Sequence, residues 1–357
     1  MNYKGMDANM QCRGYQYEVG KEYETDEAVA CEAGFHACEY PLDVLKYYVP
    51  AESRYFGVKQ SGKISKSGED TKVASTKIKI VDEIGIAGLV KAAVEYTKAR
   101  AKEEPGGHAT GYRGAASATG YHGAASATGY QGAASATGDH GAASATGNQG
   151  AASATGYHGA ASATGNQGAA SATGNQGAAS ATGYHGAASA TGYHGAASAT
   201  GNQGAASATG NHGAASATGY HGAASATGYQ GAASATGDHG AASATGNQGA
   251  ASATGYHGAA SATGNQGAAS ATGNQGAASA TGDHGAASAT GRAGVALAAG
   301  AECKAKGALG CAICVVERGE WDGETYPIIN IKAAIVDGTT IRADTYYTLH
   351  NGELVEA

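Results

Sequence analysis

The chain has 357 residues, a formal net charge of −7, six cysteines and 60 glycines, a length that allows two or three domains. It contains no apolar run of membrane-spanning length, no basic stripe of the kind that tracks a phosphate backbone, and no signal peptide at Met1-Asn2-Tyr3-Lys4-Gly5. The expectation is a soluble cytoplasmic protein, without membrane or nucleic-acid partners, whose Cys12, Cys31, Cys38, Cys303, Cys311 and Cys314 stay reduced.

In chain order, residues 1–104 have ordinary globular composition and read as an α+β domain capping the N-terminal end of a long repeat region. Pro41 to Tyr48 reads as a short helix with proline in its first turn. Arg54 to Val58 and Lys72 to Val81 read as strands, the second alternating through Ile78 and Ile80. Ile84 to Lys102 reads as an amphipathic helix with Leu89, Ala93 and Tyr96 on one stripe, ended by Pro105-Gly106-Gly107. His108 to Gly111 is then a partial copy of the repeat.

Residues 105–291 are dominated by one sentence, Gly-Ala-Ala-Ser-Ala-Thr-Gly plus two variable residues, written twenty times from Gly114 to Gly291 without an insertion. A fixed short period is the mark of a solenoid. Two glycines per unit cost a helix roughly 1 kcal/mol each relative to alanine, so a short strand and a tight turn are favoured. Strand side chains alternate, which puts Ala116 and Ala118 on one face and Ala115, Ser117 and Thr119 on the other. Hydroxyls are costly to bury unpaired, so the alanine pair faces inward. Nine residues cannot enclose a core, whereas two units make an 18-residue rung with two facing sheets. Ten rungs at ~4.8 Å give a rod roughly 50 Å long. A three-sided coil is disfavoured because twenty units do not divide by three.

The variable pairs from Tyr121 to Gln176 recur in the same order from Tyr220 to Gln275, an offset of 99 residues or eleven units. An odd offset moves each copied unit to the opposite face of a two-unit rung. Length and regularity therefore weigh more than any one variable residue. Residues 292–318 keep a glycine rhythm with larger apolar residues and read as degenerate capping rungs. Residues 319–357 read as a small β-meander cap, its strands joined by Asp337-Gly338 and Asn351-Gly352.

Cys12-Arg-Gly-Tyr-Gln-Tyr-Glu-Val-Gly20, Gly34-Phe-His-Ala-Cys38 and Pro41-Leu-Asp-Val-Leu45 resemble a domain of unknown function encoded by phages and prophages. Val336-Asp-Gly338, Ala343-Asp-Thr-Tyr-Tyr347 and Asn351-Gly-Glu-Leu-Val355 resemble the usual ending of that family. The resemblance implies a phage context and brings no activity with it. The N-terminal domain also resembles ADP-ribosyltransferases in the order of Arg13-Gly14, the Gly34 to Tyr48 segment and Glu83, although the usual Ser-Thr-Ser step is absent. That resemblance implies an arginine or histidine holding a dinucleotide and a glutamate orienting the ribose or the nucleophile.

The candidate binding residues are the outward hydroxyls Ser117, Thr119, Ser126, Thr128, Ser135 and Thr137, a regularly spaced array. It is similar to the faces of ice-binding solenoids, and its Ala-Ser-Ala-Thr-Gly phrase resembles the β-roll heads of trimeric adhesins. On an 18-residue rung His122, His140 and His158 stack in one column and His221, His239 and His257 in another; they suit a transition metal or pH sensing, or are solvated turn residues interchangeable with glutamine. Cys311-Ala-Ile-Cys314 has zinc-knuckle spacing without a second pair, so it reads as small strand residues. The sequence thus indicates a mainly β, two-sided parallel solenoid with an α+β N-terminal cap and a small β C-terminal cap. No catalytic set, metal or cofactor is expected. The expected role is a non-enzymatic, phage-associated spacer, scaffold or repeated binding surface acting through a protein partner or self-association.

Overall fold

A computed structural model describes residues 1–48, 53–66, 71–100 and 107–357, without the side chains of 97–100. They fall into two compact units, Met1–Ala181 with Ala188–Ser198, and Thr182–Ala187 with Ala199–Ala357. The chain is mainly β, with a β-solenoid of about 12 turns over residues 107–315 and a small N-terminal α+β region.

In the first unit, that region contains β1 (Asn2–Asp7), β2 (Gln11–Cys12), β3 (Tyr15–Gln16), β4 (Glu22–Glu24), β5 (Phe35–Cys38), β6 (Ser53–Lys66) and β7 (Lys72–Glu83). β6 and β7 form a long antiparallel hairpin, β1 pairs along β6, and β5 pairs along β7. β1 and β5 meet at Tyr3 and Cys38, so these four strands close on themselves around Met6, Phe35, Phe56, Val58, Ile78 and Ile80. The expected strand Arg54 to Val58 is only the first part of β6. Its polar continuation has no apolar alternation to betray it; pairing with β7 holds it extended, and the register shifts around Gly62, where φ is +80°. Pro41–Lys46 is a 3₁₀ helix, and α1 spans Gly85–Arg100. The expected helix end at Lys102 and the Pro105-Gly106 break lie outside the described residues.

The solenoid coil has two strands per turn. In the first sheet Ala124–Thr128 pairs in parallel with Ala142–Thr146, each residue with its equivalent 18 positions on, as Ser126 with Ser144. In the second sheet Ser117 pairs with Ser135 and Ser135 with Ser153 in the same way. Ala134, Ala136, Ala143 and Ala145 point inward and are buried, as the alternation requires. An alanine core removes little apolar area from water, at about 25 cal/mol per Å². The backbone supplies the rest of the cohesion, in the turns as well as the strands: Gly147 N–H donates to Thr164 O at 3.0 Å and Gln149 N–H to Tyr130 O at 2.9 Å.

The seventh-position glycines are what permits such stacking. A Cβ on Gly147 would lie 1.6 Å from the carbonyl oxygen of Gly129 on the preceding rung, and one on Gly156 would lie 1.6 Å from Gly138 O. The first-position glycine is less constrained, since a Cβ on Gly150 would meet Thr164 O at 3.0 Å.

The α+β domain joins the solenoid laterally. Tyr40, Leu42, Val44 and Leu45 of the 3₁₀ segment and Leu89, Val90, Ala93 and Val94 of α1 form one core with Ala142, Ala160 and Ala178. These alanines are second-position residues on the outer face of the first sheet, and all three are fully buried. The expected cap is therefore packed along a flank. The physical reason is the helix stripe at Leu89 and Ala93, which needs an apolar surface to cover it, and a row of outward methyl groups provides one.

In the second unit the same register continues, as in Ala223 with Ala241 and Ala232 with Ala250. The final turns keep the coil: Val295–Ala298 and Lys304–Gly307 extend the two sheets, and Ala312–Arg318 follows Val295–Ala298, while the larger residues Val295 and Leu309 are exposed and do not widen it. The last strands do not form one meander. Ile328–Ile335 pairs antiparallel with Ala312–Arg318 at the end of the second sheet. Tyr347–His350 and Glu353–Glu356 form a hairpin that pairs with Lys304–Gly307 at the end of the first sheet. Asn351-Gly352 makes the expected tight turn, with φ of +53° and +76°. Asp337-Gly338 does not make a hairpin; Asp337 Oδ1 instead accepts the N–H groups of Thr339, Thr340 and Ile341. Two sheets leave two edges of unpaired backbone, and covering both outweighs one local hairpin.

Gly147→Ala is expected to destabilise the protein by more than ~3 kcal/mol, because a backbone carbonyl cannot move aside, and Gly150→Ala by ~1 kcal/mol. Thermal denaturation followed by circular dichroism checks the order; equal losses would contradict the stacking described.

Candidate binding surfaces

The six hydroxyl residues singled out from the sequence divide between the two sheets. Ser117, Thr119, Ser135 and Thr137 lie on the second sheet, in register and exposed. Ser126 and Thr128 lie on the first sheet, Ser126 half-buried and Thr128 exposed. Within the first unit the second sheet keeps its outer residues exposed on consecutive rungs, through Ala133, Ser135 and Thr137 to Ala151, Ser153 and Thr155. That face carries hydroxyls, methyl groups and no charge.

The turns carry columns set by the variable pairs. On the second-sheet side of the first unit, Gln131, Gln149 and Gln167 form an amide ladder with bonds of 2.9 and 3.1 Å. Tyr112 and Tyr130 stack at 5.0 Å. On the first-sheet side His122, His140 and His158 stack with ring centroids 5.0 and 4.6 Å apart. In the second unit His221, His239 and His257 stack at 4.9 and 5.0 Å, all exposed, and they lead into second-sheet strands. The duplicated column is thus on the other sheet from its parent, as the odd offset requires.

The parent column is partly covered, with His158 buried and His122 and His140 half-buried. Tyr40 packs edge-on against His140 and His158 at 4.9 and 5.2 Å, and His158 Nε2 lies 3.1 Å from Asp43 Oδ1. Asp43 and His158 are 4% and 7% exposed in their side chains, so this is a buried polar contact inside an apolar seam. Thr71 donates to Asp43 Oδ2 at 2.5 Å, and Lys46 Nζ lies 2.9 Å from Oδ1. Burial works against the Asp43 charge, but His158, Thr71 and Lys46 outweigh it and hold the carboxyl well below its usual range. His140 is lowered too, which here disfavours the charged form: burial first, then the like charges of His158 and His122, lower it to about 4. Asp139 and Asp43 oppose that shift. Sequence reading missed Tyr40 and Asp43; the one signal was an acidic residue inside the apolar run Pro41 to Leu45.

Of the transferase-like residues, Arg13 and residues of the Gly34 to Tyr48 segment line one cavity, and Glu83 does not line it. Arg13 occupies a tight turn between β2 and β3, at φ +50°. Glu83, at the end of β7, is held by Arg54 through bonds of 2.9 and 2.6 Å, and Arg54 lowers its carboxyl. Cys311 is buried, its thiol donating to Gly291 O at 3.1 Å, and Cys303 does the same to Gly282 O at 3.1 Å. Among the described residues no three His, Cys, Asp or Glu side chains are grouped to hold a metal, and no helix is long and apolar enough to cross a membrane.

Residues 1–92 match a family described as a domain of unknown function, DUF7666. The DUF7666 match ends inside α1, so it takes in the closed sheet, the 3₁₀ segment and the first half of the docking helix. The repeats and the C-terminal strands lie beyond it. No curated protein and no solved structure matches the chain.

The seam between the DUF7666 region and the first sheet is expected to weaken in acid. His140 binds fewer protons in the packed state than in the unfolded chain, whose imidazole titrates near 6.5. Its contribution is therefore whole above pH ~6.5 and falls as pH drops towards 4. Asp43, being depressed, adds a further loss only below the ordinary carboxylate range. Hydrogen exchange of α1 amides should accelerate relative to the second-sheet strands between pH 6.5 and 4, and His140→Gln should flatten that change.

Proposed function

We propose that the protein is a non-enzymatic scaffold whose solenoid displays a repeated hydroxyl face and holds the DUF7666 region against its other sheet. The observation that carries this reading is the asymmetry of the first unit. The outer alanines of the first sheet are buried under the 3₁₀ segment and α1, while Ser135, Thr137, Ser153 and Thr155 on the second sheet stay exposed and in register. A flat, uncharged β-surface with a fixed repeat suits association with a protein partner or with a second copy through many equivalent small contacts. The variable pairs fit a structural part: glutamine ladders and stacked rings tie one turn to the next and are interchangeable along the chain.

A phage-associated setting in the host cytoplasm is part of this proposal. Its support is the resemblance of the Cys12 to Gly20 and Asn351 to Val355 segments to phage-encoded proteins. An adhesive or ice-binding use of the hydroxyl face remains the competing reading, favoured by the in-register Thr119, Thr137 and Thr155 column.

The test is substitution of Ser135, Ser153 and Ser171 by lysine in the full chain. Three stacked charges should leave the far-ultraviolet spectrum and the melting temperature nearly unchanged, and should abolish concentration-dependent association in mass photometry. Association that survives the triple variant would remove the hydroxyl face from the mechanism. Thermal hysteresis of the wild type, scaling with repeat number, would reassign the face to ice. Deleting 18 residues of the repeat should preserve association, whereas deleting nine should impair it by exchanging the sheets downstream.

A further inference from the structure

The three stretches that carry the N-terminal resemblance, Cys12 to Gly20, Gly34 to Cys38 and Pro41 to Leu45, are separate in sequence and converge on one cavity. Its volume is about 320 Å³, and Cys12, Arg13, Tyr15 and Tyr17 from the first, Gly34 to Cys38 from the second and Val44 from the third all line it. That is at the lower end of the ~300–1,000 Å³ typical of small-molecule sites.

The charge in this cavity has one sign. Lys4, Arg13 and Lys72 line it, and among the described residues no Asp or Glu does. Lys4 is the more telling cation, because it is 4% exposed and, among the described residues, no carboxylate pairs with it. Its ammonium donates to His36 O at 3.0 Å and to Cys12 Sγ at 3.4 Å, and Cys12 Sγ lies 2.6 Å from Tyr48 Oη. Burial lowers the Lys4 ammonium against the opposing effect of Cys12 and Cys38, and burial with Arg13 and Lys4 lowers His36. Aromatic rings complete the walls, with Tyr15 edge-on to Phe35 at 5.4 Å and the Lys72 ammonium 4.3 Å over the Tyr47 ring.

Arg13 adds an argument from the backbone. It is the first of two residues in the β2–β3 turn, with φ +50° at Arg13 and +79° at Gly14. Such a turn prefers Asn-Gly, because the first residue also needs a left-handed conformation. An exposed arginine there is unfavourable for the turn, and Arg13 lines the cavity.

We propose that this cavity binds a small planar organic phosphate of nucleoside-monophosphate size, the exposed Tyr15 ring taking the flat body and Arg13, Lys72 and Lys4 the anion. The volume of about 320 Å³ accommodates a single nucleotide, and the site is independent of the hydroxyl face on the solenoid. An aromatic wall tolerates several bases because each has a flat face, so discrimination among bases is expected to be weak.

The experiment is isothermal titration of the full chain with 5′-AMP and 5′-UMP, with adenosine and inorganic phosphate as separate probes. The expected result is saturable 1:1 binding of at least one nucleotide, with adenosine and phosphate each weaker by tenfold or more. Arg13→Gly suits the turn, so it should melt at or above the wild-type temperature while weakening nucleotide binding fivefold or more. Lys72→Gln provides a second variant away from the turn and should weaken binding without unfolding the domain. No saturable heat with either nucleotide overturns the proposal. So does Arg13→Gly binding within fivefold of wild type, adenosine binding as tightly as AMP, or phosphate alone binding as tightly as either nucleotide.

Discussion

The structure depends on one constraint: the turn of each rung must lie directly on the turn of the rung before it. With alanine as the only inward side chain, burial cannot hold a coil together by itself, and cohesion must come from a backbone ladder that runs through the corners as well as the strands. Corners can stack at strand spacing only if they have no side chain in the way. The glycine column at Gly129, Gly147 and its equivalents meets that condition, with carbonyl oxygens where a Cβ would be. The rigid nine-residue period is a consequence, because one inserted residue would misalign every corner after it.

Where the ladder is continuous, the outer surface is free to vary, and the two sheets take different surroundings. The second sheet of the first unit presents unmodified repeat to solvent. The first sheet gives up its outer methyl groups to α1 and the 3₁₀ segment, and the histidine column beside it becomes part of a mostly apolar seam. The same residue type is therefore a solvated turn residue at His221 and a buried partner of Asp43 at His158. A buried polar contact of this kind is weak evidence for stability, and a part in fixing register is the alternative. On a periodic surface, where neighbouring rungs offer the same alanines, a contact specific to His158 is a means of choosing one docking position among several.

The family match and the cavity concern a different layer of the molecule. The match covers the closed sheet and ends inside the docking helix, so the DUF7666 region supplies both the cavity walls and the apolar stripe that covers the first sheet. Cys12, Arg13, Tyr15, Tyr17, Gly34 to Cys38 and Val44 surround one space. The solenoid supplies area and repetition, and this region supplies shape, charge of one sign and aromatic walls.

The sequence by itself determined the coil. Period, strand alternation, the inward alanines, the 18-residue register and the exchange of sheets by an odd duplication are all consequences of local chemistry repeated without error, and each could be read without a structure. The stripe of α1 was legible for the same reason, since Leu89 and Ala93 follow from helical spacing alone. Tertiary structure decided what those surfaces meet. Nothing local distinguishes Ala142 from Ala151, yet one is sealed under α1 and the other is exposed. Asp337-Gly338 had the chemistry of a hairpin and was overruled by the need to close two sheet edges. Asp43, Lys4 and Arg13 acquired their surroundings only when distant segments came together, because burial and charge pairing are properties of neighbours in space and not of neighbours in sequence.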